Sequence, residues 1–358
     1  MTDNLAGLAE LRPARVCLIK PSSLGDVVHA LPVLTSLRDR WPQARFSWVI
    51  NRGLRGLVDG HPHVDEVIAF DRGRMTPGPR GLVRLAGFLR DLRRRRFDLA
   101  IDLQGLLRSG LMTWSTGARD RVGPAEAREG ATRFYSHRVP TGGSGVHAVD
   151  RMMVIARALG APAGRPRFIL AISEADHRWA RETLADVPRP RLVINVGARW
   201  VTKRWPPDRF VEVARRAVDR HGAGLIAVGA PEDRPLVDLL ISGLGPLPCL
   251  DLCGLTTLPR LAAVAAEADA FLSNDTGPLH LAAAAGARVV GVYTCTDPAR
   301  TGPYGPEAVS VRSCVWCAPS FVKACDRLEC MTELTADRVW PAVSDQLRKA
   351  SAPAASLA

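Results

Sequence analysis

Apolar, β-rich runs alternate with helical patterns along almost the whole chain, and no other feature limits the fold as much. In the first half RVCLIK (15–20), RFSWVI (45–50), EVIAF (66–70) and DLAIDLQ (98–104) read as strands, with helical periodicity over 26–40, 82–96 and 148–159. In the second half RLVINVGA (191–198), GLIAVGA (224–230), AFLSND (270–275) and RVVGVYT (288–294) read as strands, with helices over 207–220, 232–242, 257–268 and 277–285. These strands are continuously apolar, so both their faces must be covered. Alternation of such strands with helices predicts parallel, doubly wound α/β sheets. The series stops near Leu159 and restarts near Arg191, and the intervening GAPAGRPRF (160–168) is rich in Gly and Pro. The expected division is one Rossmann-like domain over 1–165, a second over 166–335, a C-terminal helix over 336–350 and a disordered tail over 351–358. Two such domains are expected to face one another across a cleft, with ligands at the carboxyl ends of the strands beside helix N-termini.

Charge distribution narrows the choice of partner. The net charge is +12 over 358 residues. Residues 1–170 carry 27 Lys and Arg against 15 Asp and Glu, whereas residues 171–358 carry 21 of each. The whole surplus sits in the first half, which should attract an anion: nucleic acid, an anionic membrane surface or a phosphorylated substrate. Nucleic acid fits poorly, because aromatic residues make up only 6% and no basic–aromatic platform is present. A nicotinamide-dependent dehydrogenase fits poorly too, since no G-x-G-x-x-G follows the first strand. The N-terminus has no long apolar h-region and no apolar run reaches the length of a membrane span, which points to a cytoplasmic protein.

Every chemically suggestive segment follows a strand. The first strand enters KPSSLGDVVHALP (20–32), where Ser22, Ser23 and Gly25 form a small turn and Asp26 stands at a helix start. An Asp there is an ordinary N-cap residue, stabilised by the dipole. It can equally serve as a general base exposed to an acceptor hydroxyl, with His29 one turn on. The second half opens with VGARWVTKRWPPDRF (196–210). Only four lysines stand against 44 arginines, and Lys20 and Lys203 both lie in post-strand loops. A compact ammonium at Lys203 suits a diphosphate oxygen. In VGAPEDRP (228–235) Glu232 can accept hydrogen bonds from ribose hydroxyls or simply favour a helix start. In FLSNDTGPLHLAAAAG (271–286) a strand ends at Asn274 and Asp275, and Thr276 and Gly277 open a helix whose free N–H groups form an anion site. Asp275 can bind sugar hydroxyls there, and His280 lies one turn in, on the face of Thr276.

Together KPSSLGDVVHALP, TKRWPP, VGAPED, LCGLTTL (252–258) and SNDTGPLHLAAAAGARVVGVY resemble glycosyltransferase family 9, the ADP-heptose:lipopolysaccharide heptosyltransferases, in the family's order over residues 15–340. IDLQGLLRSG (101–110) and RVGPAEAREGATRFYSHR (121–138) are most similar to the heptosyltransferase I branch, whereas TKRWPP is closer to heptosyltransferase II. The resemblance implies a GT-B fold of two Rossmann-like domains and an inverting single displacement. It places Asp26 at the catalytic base position, with Ser23, Gly25 and His29 around the acceptor. Thr202 and Lys203 match the donor diphosphate loop, Glu232 the acidic residue near the ribose, and Asp275, Thr276, Gly277 and His280 the donor loop. An anionic lipid-linked glycan of the Kdo-lipid A type would then bind the basic first half, with Arg119, Arg121, Arg128 and Arg133 as candidates. Contact with the cytoplasmic face of the inner membrane would be peripheral. No catalytic cofactor is implied.

The segment CVWCAPSFVKACDRLEC (314–330) stands apart. Cys314 and Cys317 form a C-x2-C pair, and Cys325 and Cys330 follow. Four thiolates in 17 residues can close around one tetrahedral ion, so a structural zinc or iron is the first expectation. Reduced thiols come next, and disulfides last in a reducing compartment.

Overall fold

The computed structural model describes residues 5, 7–71, 73 and 78–351. The chain divides into two compact units, Met1–Ala171 and Ile172–Ala358. Residues just past the expected boundary stay with the first unit because they are tied to it: His61 Nε2 meets the carbonyl of Ile169 at 3.0 Å, and Arg167 pairs with Asp39. Of the expected tail, 351–358, Ser351 ends the last helix and residues 352–358 lie outside those described.

The first unit comprises β1 (Arg15–Ile19), α1 (Leu24–Arg40), β2 (Arg45–Asn51), β3 (Glu66–Phe70), α2 (Pro79–Arg94), β4 (Leu99–Asp102), α3 (Leu107–Ser115), β5 (Asp120–Pro124), β6 (His137–Val139) and α4 (Ala148–Ala158). The second contains α5 (Glu174–Thr183), β7 (Arg191–Asn195), α6 (Pro207–His221), β8 (Gly224–Val228), α7 (Arg234–Leu244) and β9 (Cys249–Asp251). It continues through α8 (Leu258–Ala266), β10 (Ala270–Asn274), α9 (Gly277–Ala284), β11 (Val289–Tyr293), α10 (Pro298–Thr301), β12 (Ala308–Arg312), α11 (Glu329–Glu333) and α12 (Ala336–Ser351). All eight expected strands form. Four more, β5, β6, β9 and β12, escaped the sequence pattern because they lie at or next to sheet margins, are short or half-exposed, and lack an apolar run.

Each unit holds one six-stranded sheet, in the orders β3-β2-β1-β4-β5-β6 and β12-β11-β10-β7-β8-β9. Every pairing is parallel. Counted from its own first strand, the first sheet runs 3-2-1-4-5-6 and the second 6-5-4-1-2-3, the same doubly wound order, which leaves a crevice at the carboxyl ends of strands 1 and 4. In the first unit that point lies between β1 and β4, and in the second between β7 and β10. The buried β1, β4, β7 and β10 put their ends there, so each residue after them is fixed by a rigid, fully packed strand. In the second unit Trp205 is wholly buried against Phe210, with ring centroids 4.8 Å apart, and its indole N–H donates to the carbonyl of Leu334 at 2.6 Å. Truncating so enclosed a ring costs on the order of 3–5 kcal/mol. It therefore anchors the loop after β7 beneath the candidate site.

Candidate functional site

At the carboxyl edge of the first sheet, β1 runs into Lys20 and the Pro21–Ser23 turn, and Ser23 caps α1. Ser23 and Asp26 form a capping box: the Ser23 amide and hydroxyl donate to Asp26 Oδ2 at 3.0 and 2.6 Å. The other carboxylate oxygen, Oδ1, faces Lys20 Nζ at 3.8 Å, and the Asp26 side chain remains 43% exposed. Burial pushes this carboxyl upward, but the Lys20 ammonium, the Ser23 hydrogen bonds and His29 outweigh it and hold it below the usual carboxylate value. Gly25 is buried in the first turn of α1, and His29 is buried with its ring edge-on to His147 at 5.5 Å.

The loop after β4 is organised by a residue that sequence reasoning passed over. Asp102 is fully buried, and it accepts from the amides of Gln104 and Gly105 at 2.8 and 3.0 Å and from the Tyr135 hydroxyl at 2.7 Å. Burial pushes its carboxyl above the ordinary value despite these donors. The available signal was an acid closing an otherwise apolar strand, LAID. Gly123 makes room for Tyr135, since a Cβ there would sit 2.4 Å from the ring. Gly105, in the left-handed region at φ +69°, accepts at its carbonyl from the Arg128 amide at 2.9 Å. Arg128 itself is exposed at this edge. Arg121 is placed differently from expectation. Its guanidinium donates to the carbonyls of Phe134 at 2.9 Å and Ala118 at 2.6 Å, so it ties β5 to the neighbouring turn instead of facing an acceptor.

The second carboxyl edge gathers the expected donor residues. Lys203 Nζ pairs with Asp275 Oδ2 at 2.5 Å, and Thr296 donates to the same oxygen at 2.6 Å. His280 Nε2 lies 3.6 Å from Asp275 Oδ1. Asp275 is only 4% exposed. Burial pushes its carboxyl up, but His280 and Lys203 more than reverse this and hold it far below the usual range. Burial and this same carboxylate drive the Tyr293 hydroxyl well above its ordinary value. Thr276 and Gly277 begin α9, and no side chain caps that helix end. Asn195 donates to Thr276 Oγ1 at 3.1 Å, while Asn274 bridges the Trp205 amide and the Val196 carbonyl at 3.1 and 2.8 Å. Asn195, Thr296 and Tyr293 were not singled out from the sequence. Glu232 is exposed in the turn directly after β8, the neighbour of β7.

Thr202 is buried, and its hydroxyl donates to the Val322 carbonyl at 2.6 Å, which ties the Lys203 loop to the cysteine segment. That segment is remote in sequence yet lies on this loop: Phe321 N donates to Cys295 O at 2.9 Å, and Lys323 Nζ stands 5.4 Å from the centre of the Trp200 ring that Lys203 approaches at 4.9 Å. Cys314, Cys317 and Cys325 are exposed and Cys330 is buried. Burial pushes the Cys330 thiol up, with Cys295, Cys317 and Cys325 acting in the same direction. Among the described residues no three or more His, Cys, Asp or Glu side chains are gathered in a metal-holding set.

Two doubly wound units, the second with a cationic loop and an uncapped helix start beside a buried carboxylate at its strand ends, are the architecture of the GT-B class of nucleotide-sugar proteins. The sequence pattern of "Glycosyltransferase family 9 (heptosyltransferase)" matches residues 85–331, and the chain belongs to that family. It is 36% identical over 323 residues to lipopolysaccharide heptosyltransferase 1 of Pseudomonas aeruginosa, covering 87% of each chain. It is 30% identical over 295 residues to the lipopolysaccharide core heptosyltransferase OpsX of Haemophilus influenzae, covering 82% of each. The structure of Escherichia coli heptosyltransferase WaaC with ADP superposes with a TM-score of 0.73 at 26% identity, over 93% of this chain and 99% of that one.

Proposed function

We propose that this chain transfers heptose from ADP-heptose to the inner core of lipopolysaccharide, on a Kdo-lipid A type acceptor, by an inverting single displacement. The observation that carries this is the second carboxyl edge, where Lys203, Asp275 and the uncapped start of α9 meet at the switch point of a nucleotide-type sheet. Heptosyltransferase 1 relatives and a neighbour solved with ADP support the choice of donor. Asp26 Oδ1, free of hydrogen bonds from Ser23, takes the proton of the acceptor hydroxyl as that oxygen attacks the anomeric carbon. ADP leaves with growing negative charge, which Lys203 and the N–H groups at Thr276 and Gly277 stabilise. Asp275 and His280 orient the heptose, Glu232 takes the ribose hydroxyls, and Thr202 holds the Lys203 loop in place. The leaving charge is thus carried by protein groups, and no catalytic metal is invoked. Incubation with ADP-heptose and a truncated core lipid should add the mass of one heptose to the lipid. No product with ADP-heptose, but product with another nucleotide sugar or another bacterial glycan, would move the chain to the alternative donor or acceptor within the family.

Acceptor binding is assigned to the basic first unit. Arg128→Ala should raise the acceptor KM roughly tenfold, the value of one lost charge-assisted hydrogen bond, and leave the donor KM nearly alone. Arg121→Ala should instead lower the melting temperature, since its carbonyl partners are left unpaired. An unchanged acceptor KM in the Arg128 variant would remove that residue from the acceptor site.

Among the described residues no helix is long and apolar enough to cross a membrane. Peripheral contact at the cytoplasmic face suits α2, where Leu82 and Val83 are 66% and 72% exposed on a helix that also carries Arg80, Arg90, Arg93 and Arg94. Co-sedimentation with anionic but not neutral vesicles checks this.

A structural zinc or iron at Cys314, Cys317, Cys325 and Cys330 remains part of the proposal on donor chemistry alone, because the described side chains are not drawn together as a set. Its role would be to stiffen the segment that holds Thr202. Elemental analysis of protein purified without a metal-affinity tag should give about one metal per chain, lost in a Cys314→Ser/Cys317→Ser variant. Four free thiols and no metal would discard the site.

A further inference from the structure

Lys20 is the most deeply placed cation at the first carboxyl edge, and the mechanism above leaves it without a task. It is 5% exposed, in a chain that uses arginine almost everywhere else. Burying an ammonium is unfavourable unless fixed partners replace its water. Lys20 Nζ has two: the Leu103 carbonyl after β4, at 2.9 Å, and Asp26 Oδ1 at 3.8 Å. Its backbone is pinned as well, the amide to the Val49 carbonyl and the carbonyl to the Trp48 indole, both at 3.3 Å.

We propose that Lys20 is a positioning residue for Asp26: its buried ammonium, anchored on the Leu103 carbonyl just after β4, fixes the carboxylate through Oδ1 and keeps it ionised, ready for the acceptor hydroxyl. This rests on Asp26 being the base. The two carboxylate oxygens are treated differently. Oδ2 is occupied by the Ser23 amide and hydroxyl. Oδ1 lies 3.8 Å from the ammonium, close enough for attraction and beyond hydrogen-bond distance. Other titratable and charged groups at this edge include His29 on α1, His147 at the start of α4, Asp102 at the end of β4 with the Tyr135 hydroxyl on it, and the exposed Arg128 beyond the β4 loop. Lys20 is the cation that links the strand-1 and strand-4 loops. An arginine could not replace it without loss, because its planar fork would reach Oδ1 and occupy it.

The test compares Lys20→Gln and Lys20→Arg in the full chain by two readouts. One is the acid limb of kcat/KM for heptosyl transfer. The other is a carbon-13 carboxyl NMR titration of Asp26 in free protein, assigned with Asp26→Asn. Glutamine keeps a donor for the Leu103 carbonyl and removes the charge. An opposite charge lowers a carboxyl pKa, so both readouts should move up by about one pH unit or more in Lys20→Gln. In Lys20→Arg they should stay near wild type while kcat falls about tenfold or more. A Gln variant that folds and titrates as wild type does overturns the proposal. If the Gln variant does not fold, the Arg variant decides: wild-type kcat overturns the proposal, and a lowered kcat with an unmoved titration supports it. The NMR titration needs no substrate. Wild-type protein that transfers no heptose would therefore sink the functional reading, while the titration still judges the Lys20–Asp26 coupling.

Discussion

Asp26→Asn is expected to abolish heptosyl transfer and leave the fold intact. The two properties separate because the two carboxylate oxygens have separate tasks. Oδ2 accepts from Ser23 and completes the cap of α1, which an amide oxygen can still do. Oδ1 is the proton acceptor, and an amide nitrogen in its place has no basicity to offer. Loss of a general base lowers the rate on the order of 100- to 10,000-fold. Single-turnover kinetics with ADP-heptose and acceptor, set beside thermal melts of both proteins, would show the contrast. Turnover near wild type would remove Asp26 from the chemistry. An equally large fall in melting temperature would make it a structural cap and nothing more.

Lys203→Ala should have a comparably large effect, with a different signature. In the donor-free protein the Lys203 ammonium sits on Asp275, a carboxylate 4% exposed whose other neighbours include Thr296, His280 and Tyr293. Removing the ammonium strips the donor diphosphate of its cation and also leaves a buried charge short of a partner. The first effect should lower kcat/KM by about 100- to 1,000-fold, as for other preorganised groups facing a leaving charge. The second should destabilise the second unit by up to about 3–5 kcal/mol. The pH dependence has a definite sign. Burial works against the Asp275 carboxylate, but His280 and Lys203 hold its pKa below the unfolded value. Such a group contributes stability above its unfolded pKa, near 4, and loses it as pH falls through the folded value. In Lys203→Ala the folded pKa rises, so the stability gap from wild type should be widest at neutral pH and shrink in acid. Adding Asp275→Asn to the Lys203→Ala variant should restore part of the stability and none of the ADP affinity. Lys203→Arg should rescue only partly, because the wider guanidinium has to be refitted against diphosphate and Asp275 alike. Equal ADP affinity in wild type and in the Lys203→Ala and Lys203→Arg variants, read by calorimetry, would count against the assigned role.

The sequence by itself determined the inner strands, their parallel pairing and most of the covering helices, because hydrophobic periodicity is a local property that each segment carries alone. It also determined which chemistry stands at strand ends. Asp26 at a helix start, Lys203 among few lysines, and Asp275 before a small-residue helix are all legible in short stretches, whereas the structure makes Ser23 the cap of α1 and Asp26 its capping-box partner. The marginal strands β5, β6, β9 and β12 were not legible, since half-exposed edges need no apolar run. Only the tertiary structure decided how the residues at the strand ends are used. It paired Asp102 with Tyr135, placed Lys20 between Leu103 and Asp26, and turned Arg121 inward onto carbonyls. It also laid the cysteine segment on Thr202, from 120 positions away in the chain. Such meetings depend on which strand ends lie side by side in a doubly wound sheet. Strand order is a property of the assembled sheet, and the periodicity of a single segment carries no information about it.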